Sequence, residues 1–470
     1  MILGLALAHA TETSLSFDEA LTRAGAEAPS VLSARADVQG AEGSLLAARA
    51  SFEPSLSLTG SYFSSAGEGQ FQFGEYTSET TGISTDAALS VPMATGTALG
   101  LGFTANQSDT QFKISELDQE FGDPAWDSKL AFTLSQALLQ GHRLAYNLQG
   151  VRSAGAALAG AEWTAVAARQ RAVGDAATAY WTLHYQRALV DIAEQSREAT
   201  AEQARVVTAL VEAGKLAPVE RTRTEAALAQ VERAKIDAEA AAMAAEDSLA
   251  ALVGLPLSEH IVLATAPPVP PNIPADEDAV AAAVLDTNPE IRAAKVALDT
   301  RELAVRNARH ALLPELSATA GLALRGYEES FSASVDELAA GDLPEWSLGG
   351  SLSLPLLNRA DRGALGQAEG SLARAEADLA ALRSATEQAA RAAVRTVRSA
   401  RRNVELADLN LRLAEETLAA ERARLAEGRS LNKDLITAQK DLDQARADAE
   451  KARIDWVLAV IEIERLKGAL

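Results

Sequence analysis

The 470-residue sequence has no cysteine, which excludes disulfides, thiolate metal sites and a lipid carried on an N-terminal Cys, while saying little about compartment. It has no excess of basic charge: 43 Lys and Arg stand against 65 Asp and Glu, and the net charge of −22 argues against a nucleic-acid partner, since phosphate binding needs clustered Lys and Arg. Aromatic residues are only 4% while alanine is abundant, a poor recipe for bulky cores but one that suits closely packed helices. No run of about 18 or more apolar residues occurs, so a transmembrane helix is not expected; a chain that spans a bilayer without one must do so with strands. The five histidines (9, 142, 184, 260, 310) are scattered and form no HExxH pattern. There is no P-loop, no G-x-S-x-G elbow and no Cys nucleophile. No reaction, cofactor or metal is therefore expected. Residues 2–10, ILGLALAHA, end in Ala8-His9-Ala10, an A-x-A cleavage pattern without a basic n-region. Residues 1–14 read as a remnant export signal, the alternative being a frayed apolar terminus.

What the chain does have is a duplication. Pro29 and Pro54 are separated by the same interval as Pro289 and Pro314. The stretch Ala48-Arg49-Ala50-Ser51-Phe52-Glu53-Pro54 matches Ala308-Arg309-His310-Ala311-Leu312-Leu313-Pro314. Gly214 precedes Gly254 by the interval that separates Gly428 from Gly468. Such a repeat must be recognised before any local assignment. Residues 15–265 form repeat one and 276–470 repeat two. Between them the Pro-rich segment 266–275 (APPVPPNIPA) is a stiff extended connector.

Each repeat opens with a short helix, 17–28 or 276–287, stopped by the following proline, and a second helix runs to about 51 or 311. The period then changes from 3.6 to 2. Strands are expected within about 54–135 and 314–355. Leu316, Ala318, Ala320, Leu322 and Leu324 alternate with Ser317, Thr319, Gly321, Ala323 and Arg325; Leu56, Leu58 and Tyr62 alternate with Ser55, Ser57 and Ser61. About ten residues of apolar-out, small-polar-in alternation mark a transmembrane strand, although a half-buried soluble sheet alternates likewise. Trp126 and Trp346, each in a Pro-x-Trp motif that opens a returning strand, fit membrane-interface aromatics; a Trp also serves in an ordinary core.

After the strands come helical hairpins at about 143–254 and 361–468. Their first arms, about 143–213 and 361–427, contain no proline, and ~70 helical residues reach roughly 100 Å. Val397, Val404, Leu411, Leu418 and Leu425 form a heptad seam with Ala400, Ala407 and Ala414, and Leu365, Leu372 and Leu379 form an earlier one out of phase. The hairpin tips lie at Gly214 and Gly428, with Pro218 suited to a first helical turn and Asn432 to a cap.

Several stretches resemble the TolC-like outer-membrane efflux and secretion ducts. They are Asn288-Pro289-Glu290-Ile291, Leu312-Leu313-Pro314, Leu352-Ser353-Leu354-Pro355-Leu356-Leu357-Asn358-Arg359 with Gly366-Gln367-Ala368-Glu369, and the Gly428…Asp434-Leu435 tip. In repeat one Ser135-Gln136-Ala137-Leu138-Leu139 occupies the corresponding place, with Ala137 where the family usually has proline. The resemblance covers about residues 15–470. It implies an α+β membrane protein whose protomer, a tandem repeat, contributes strands to a trimeric transmembrane β-barrel and long helical hairpins to a periplasmic α-barrel. The implied role is the outer-membrane exit duct of a tripartite efflux or type I secretion system. Its partners would be two further copies (a homotrimer), outer-membrane lipid, a periplasmic adaptor and an inner-membrane pump. Physical reasoning supports such an assembly independently, because open strand edges cannot be satisfied by lipid and must be closed by other subunits.

By resemblance Asp434 matches an acidic constriction residue, with Thr437 in place of a second acid and Glu220 equivalent in repeat one. A ring of Asp434 carboxylates would favour cations; the plainer role of Asp434 is a first-turn acid favourable to the helix dipole. The tips Gly214-Lys215-Leu216 and Gly428-Arg429-Ser430 are where the family meets its adaptor. A periplasmic adaptor and a coiled-coil scaffold are the rival classes. Family members supply four strands per chain, yet about twice as many residues separate Pro54 from Ala137 as Pro314 from Pro355. The excess holds an alternating pair, 83–91 and 97–105, joined by the turn Pro92-Met93-Ala94-Thr95-Gly96 and flanked by expected polar loops at 64–82 and 106–125. Either that pair widens the barrel to six strands per protomer, or it is a hairpin over the extracellular mouth.

Overall fold

The computed structural model describes residues 12–71, 74–114, 119–121, 124–268, 276–342, 344–427 and 429–470. The export-signal stretch 1–11, most of the Pro-rich connector and the tip residue Gly428 lie outside them. In chain order the elements are β1 (Glu12–Leu15), α1 (Phe17–Glu27), α2 (Pro29–Arg49), β2 (Ser55–Phe71), β3 (Gly74–Pro92), β4 (Thr97–Ile114), β5 (Gln119–Phe121), β6 (Ala125–Ala137), α3 (Leu144–Asn147), α4 (Gln149–Glu212) and α5 (Pro218–Leu252). There follow β7 (His260–Leu263), α6 (Glu277–Thr287), α7 (Pro289–Ala311), β8 (Glu315–Glu328), α8 (Phe331–Ala340), β9 (Pro344–Ser353), α9 (Arg359–Ala426) and α10 (Asn432–Lys467).

The two repeats use one set of local rules. Ser16 caps α1 by accepting from the Glu19 amide at 3.2 Å, and Asp276 caps α6 by accepting from Asp278 and Ala279 at 3.0 and 3.2 Å. A single residue, Ala28 or Asn288, separates the end of each of these helices from a proline that opens the next helix, where its missing N–H costs nothing. Gly214, Gly254 and Gly468 adopt φ of +72°, +70° and +70°, the left-handed geometry that ends a helix.

One compact unit comprises Met1–Gln39, Ala159–Lys295 and Ala377–Leu470. Its main core gathers Leu15, Tyr180, Trp181, Leu183, Leu249 and Ile261, all fully buried, with Phe17 edge-on to Tyr180 at 5.4 Å between ring centres. β1 and β7 form a short parallel ladder, Glu12↔His260 to Leu15↔Leu263. The Tyr180 hydroxyl donates to the Leu15 carbonyl and accepts from the Thr265 amide, so the buried phenol is satisfied at both valences. Residues 12–14, expected in the export remnant, thus belong to β1. A second core joins Val280 and Val284 of α6 to Val394 and Val397 of α9 and Ile463 of α10. Further along, heptad residues Leu411, Leu418 and Leu425 of α9 pack on Leu435, Ala438 and Leu442 of α10, as the seam requires. The long arms α4 and α9 have 64 and 68 residues.

The other unit comprises Gly40–Leu158 and Val296–Glu376 and holds one antiparallel sheet in the order β2-β3-β4-β6-β8-β9, with β5 on β4. β2 pairs with β3 from Ser55↔Ser90 to Phe71↔Gly74, and β3 with β4 from Pro92↔Ala98 to Tyr76↔Ile114. β6 joins β4 to β8, and β9 closes the series along β8. The turn at 92–96 is tight: the Met93 amide donates to the Thr97 carbonyl at 2.8 Å. Gly96 there has φ +76°, and a Cβ would stand 2.2 Å from the Gly141 carbonyl oxygen.

Two expectations need correction. Segments 64–82 and 106–125 are largely ladder-paired strand, not polar loop. Thr and Ser on both faces erase the alternation that betrays a half-buried strand, yet the backbone ladder needs no such alternation and continues. The helix α8, between β8 and β9, was also unforeseen. Its Ser330 cap accepts from the Ala333 amide, and Gly341 ends it at φ +74°.

Candidate functional site

The sheet has two chemically opposite faces, and register carries them across all six strands. On one face Leu56 pairs with Leu89, Leu89 with Leu101, Leu101 with Phe132, Phe132 with Leu322 and Leu322 with Trp346. This face is bare: Leu58 is 74% exposed, Leu348 77% and Trp346 76%. On the other face Ser57 pairs with Ala88, Ala88 with Gly102, Gly102 with Ala131 and Ala131 with Ala323. An apolar surface of this extent does not suit water. No helix among the described residues is long and apolar enough to cross a membrane.

At one end of the polar face lies a knot of charge. Arg325 donates to both oxygens of Asp127 at 2.8 and 2.7 Å, a forked pairing of the strong kind. Lys129 reaches Glu345 at 2.7 Å, and Arg325 lies 4.0 Å from the same carboxylate. On the apolar side, just past the Leu130–Leu324 row, α8 lies against β6 and β8. The Ser128 and Ser334 hydroxyls meet at 2.8 Å, and the ring of Trp126 is 5.1 Å from that of Phe331. A Cβ on Gly326 would stand 1.9 Å from the Ser334 carbonyl oxygen, so glycine is what lets α8 dock.

At the helix tips, Asn432 joins the repeats. Its Nδ2 donates to the Thr224 hydroxyl at 2.9 Å and approaches Glu220 at 3.4 Å, while its Oδ1 accepts from Gln203 at 2.9 Å. Asn432 and Thr224 are buried. Arg223 holds the other oxygen of Glu220 at 2.6 Å. The second tip is braced by Ser430, which donates to Glu421 at 2.6 Å. Arg429 pairs with Glu427 at 3.1 Å. Above the tips, α4, α5 and α10 bound an open groove of about 670 Å³ lined by Leu189, Ile192, Val231 and Ile436, with Asp443 on its wall. Burial raises the Asp443 carboxyl above its usual range, against hydrogen bonds from Ser196 and Gln439. Between α4 and α5, Glu194 takes Arg197 at 2.6 Å and Lys235 at 2.8 Å; those hydrogen bonds, Arg197 first, lower its pKa to about 2.

The sequence matches the family described as "Outer membrane efflux protein" over residues 20–255 and 280–469. The chain belongs to that family. It is a transport protein of the outer membrane, with helices extending into the periplasm. No curated protein sequence matches it. Among solved structures its fold resembles the outer membrane channel CmeC of Campylobacter jejuni: TM-score 0.73, 14% identity, 96% of this chain and 85% of that one. VceC of Vibrio cholerae gives TM-score 0.70 at 17% identity over 96% of each chain. The open-state MtrE channel of Neisseria gonorrhoeae gives 0.65 at 16% identity over 96% and 88%.

Within this efflux protein the expected site residues divide. Gly214 sits at a true helix end, beside exposed Lys215 and half-buried Leu216. Asp434 is half-buried in the first turn of α10 and Thr437 turns its hydroxyl to the Lys433 carbonyl at 3.0 Å, so Thr437 is engaged with its own helix. Asn432 does not cap α10: Leu431 holds that position, without a side-chain hydrogen bond. The Asn432 cluster was missed because its partners lie in the other repeat. Asn432 stands where repeat one has Pro218, an asymmetry that was the available signal.

Proposed function

We propose that this efflux protein is the outer-membrane exit duct of a tripartite efflux or type I secretion machine. Three copies assemble, their sheets close one barrel in the outer membrane, and their hairpins line a passage through the periplasm. Cargo moves down its gradient inside it, and energy comes from an inner-membrane pump coupled through a periplasmic adaptor. The observation that carries this is the sheet with one bare apolar face, one small-residue polar face and two open edges. Lipid suits the first face and water the second, and only strand closure satisfies the edges.

The adaptor meets the tips at Lys215, Leu216, Arg429 and Ser430, flanking Gly214 and Gly428. Trp126 and Trp346 sit at the membrane interface, where an indole has both an apolar body and an N–H for water. Asp434 and Glu220 set the charge of the narrow end, with Thr437 beside them. The test is single-channel recording in a planar bilayer. The expected outcome is a cation-preferring pore whose preference and divalent block weaken in Asp434→Ala; unaltered block in that variant removes Asp434 from the constriction.

A further inference from the structure

We infer that β3 and β4 belong to the membrane wall, so that each copy supplies six strands and three copies close an eighteen-stranded barrel through a seam between β2 of one copy and β9 of the next. This rests on the trimer proposed above and specifies its wall.

First, β3 and β4 are not an appendage. They lie between β2 and β6, joined to each by a continuous ladder, and in this sheet β2 touches β6 nowhere. Their outward rows, such as Leu89 and Val91 or Leu99 and Phe103, are as apolar as those of β6, and their inward rows, such as Ala88 and Ala98, are as small.

Second, the apolar band runs obliquely across the sheet. It centres near residue 349 on β9, 320 on β8, 132 on β6, 101 on β4, 87 on β3 and 59 on β2. Followed through the register, that centre climbs by about six residues over five strand boundaries, never falling. Roughly 1.2 residues of ~3.4 Å per ~4.8 Å strand spacing is a slope of about 40°, within the tilt of membrane barrels. A flat lipid slab demands such a drift from tilted strands, and the drift continues through β3 and β4. Beyond the band β2, β3 and β4 run on with polar residues such as Glu79, Thr110 and Gln111.

Third, the free edges match. β2 and β9 run in opposite directions, so an antiparallel seam is available, and both carry apolar residues at even positions. Continuing the drift sets Thr59 of one copy opposite Ser351 of the next, with Gly349 one pleat away. At ~40° tilt and ~4.8 Å spacing, eighteen strands enclose about 36 Å between backbones, against about 24 Å for twelve. A mouth of that width lined by Ser, Ala and Gly suits bulky or polymeric cargo.

Because the chain has no cysteine, single substitutions give an unambiguous readout in outer-membrane vesicles probed with a charged, impermeant maleimide. Ala88→Cys and Ala98→Cys should label at least about tenfold faster than Leu89→Cys and Leu101→Cys, which face lipid. Thr133→Cys against Phe132→Cys on β6 is the control pair. Equal labelling on β3 and β4 with alternation kept on β6 overturns the six-strand wall and spares the duct. Loss of alternation on β6 as well overturns both. The seam is tested by oxidising Thr59→Cys combined with Ser351→Cys or with Gly349→Cys: one pair should give covalent dimers and trimers, and failure of both overturns it.

Discussion

Replacing Asn432 by alanine removes the polar link between the two hairpin tips of one copy. Its two short hydrogen bonds are lost, the one accepted from Gln203 at 2.9 Å and the one donated to Thr224 at 2.9 Å, together with the long contact to Glu220 at 3.4 Å, which adds little. Thr224 keeps its own donation to the Glu220 carbonyl, so its buried hydroxyl still has a partner. At about 1 kcal/mol net for each bond, the tips lose about 2 kcal/mol, roughly a 30-fold shift in their local opening equilibrium. Amide hydrogen exchange read by mass spectrometry measures this directly. Exchange should quicken by about 30-fold around residues 203–224 and 429–442, with the core around Trp181 and the sheet unchanged. Adding Gln203→Ala should cost less than the sum of the two single changes, because they share a bond. A tip that quickens by less than about threefold, or a rise spread evenly over the chain, refutes this account of how the tips are held.

Asp443 holds its proton more tightly in the fold than in the unfolded chain, so its relative stabilisation is complete below the unfolded carboxylate range and lost as pH rises through its raised value. Asp443→Asn should therefore raise the melting temperature at pH 7 and leave it unchanged near pH 3. Glu194 has the opposite sign: with its pKa lowered to about 2, it stabilises above pH 4.5 and loses that effect as pH falls toward 2. Glu194→Gln should flatten this acid limb, and high salt should mimic it because the group is exposed. Gly326→Val should dislodge α8, given the 1.9 Å approach to Ser334; limited proteolysis should then cut within 331–341 while assembly of copies persists.

The duplicated prolines and glycines were legible because each enforces one backbone geometry wherever it stands: Pro29 and Pro289 start helices, and Gly254 and Gly468 end them. The central parts of the strands were legible because lipid-type alternation at Leu316–Leu324 and Leu130–Leu134 has a period of 2. The outer reaches of β2, β3 and β4 were not, since Ser, Thr and Gly placed on both faces leave no period to detect. β1 was hidden by its brevity and by pairing with a strand in distant sequence, His260–Leu263. α8 was hidden because Ser334 and Leu338 become buried only by docking on Ser128 and Gly326. At the tips, Asp434 was singled out by resemblance and Glu220 as its counterpart in repeat one, whereas Asn432 reads as a helix cap until Gln203 and Thr224 stand beside it.

Native mass spectrometry of the protein extracted from outer membranes in detergent tests the central claim most directly. Three chains per particle, released only when detergent is present, is the result expected of an exit duct whose sheet edges are sealed by sister copies. A single chain that stays in solution without detergent contradicts it.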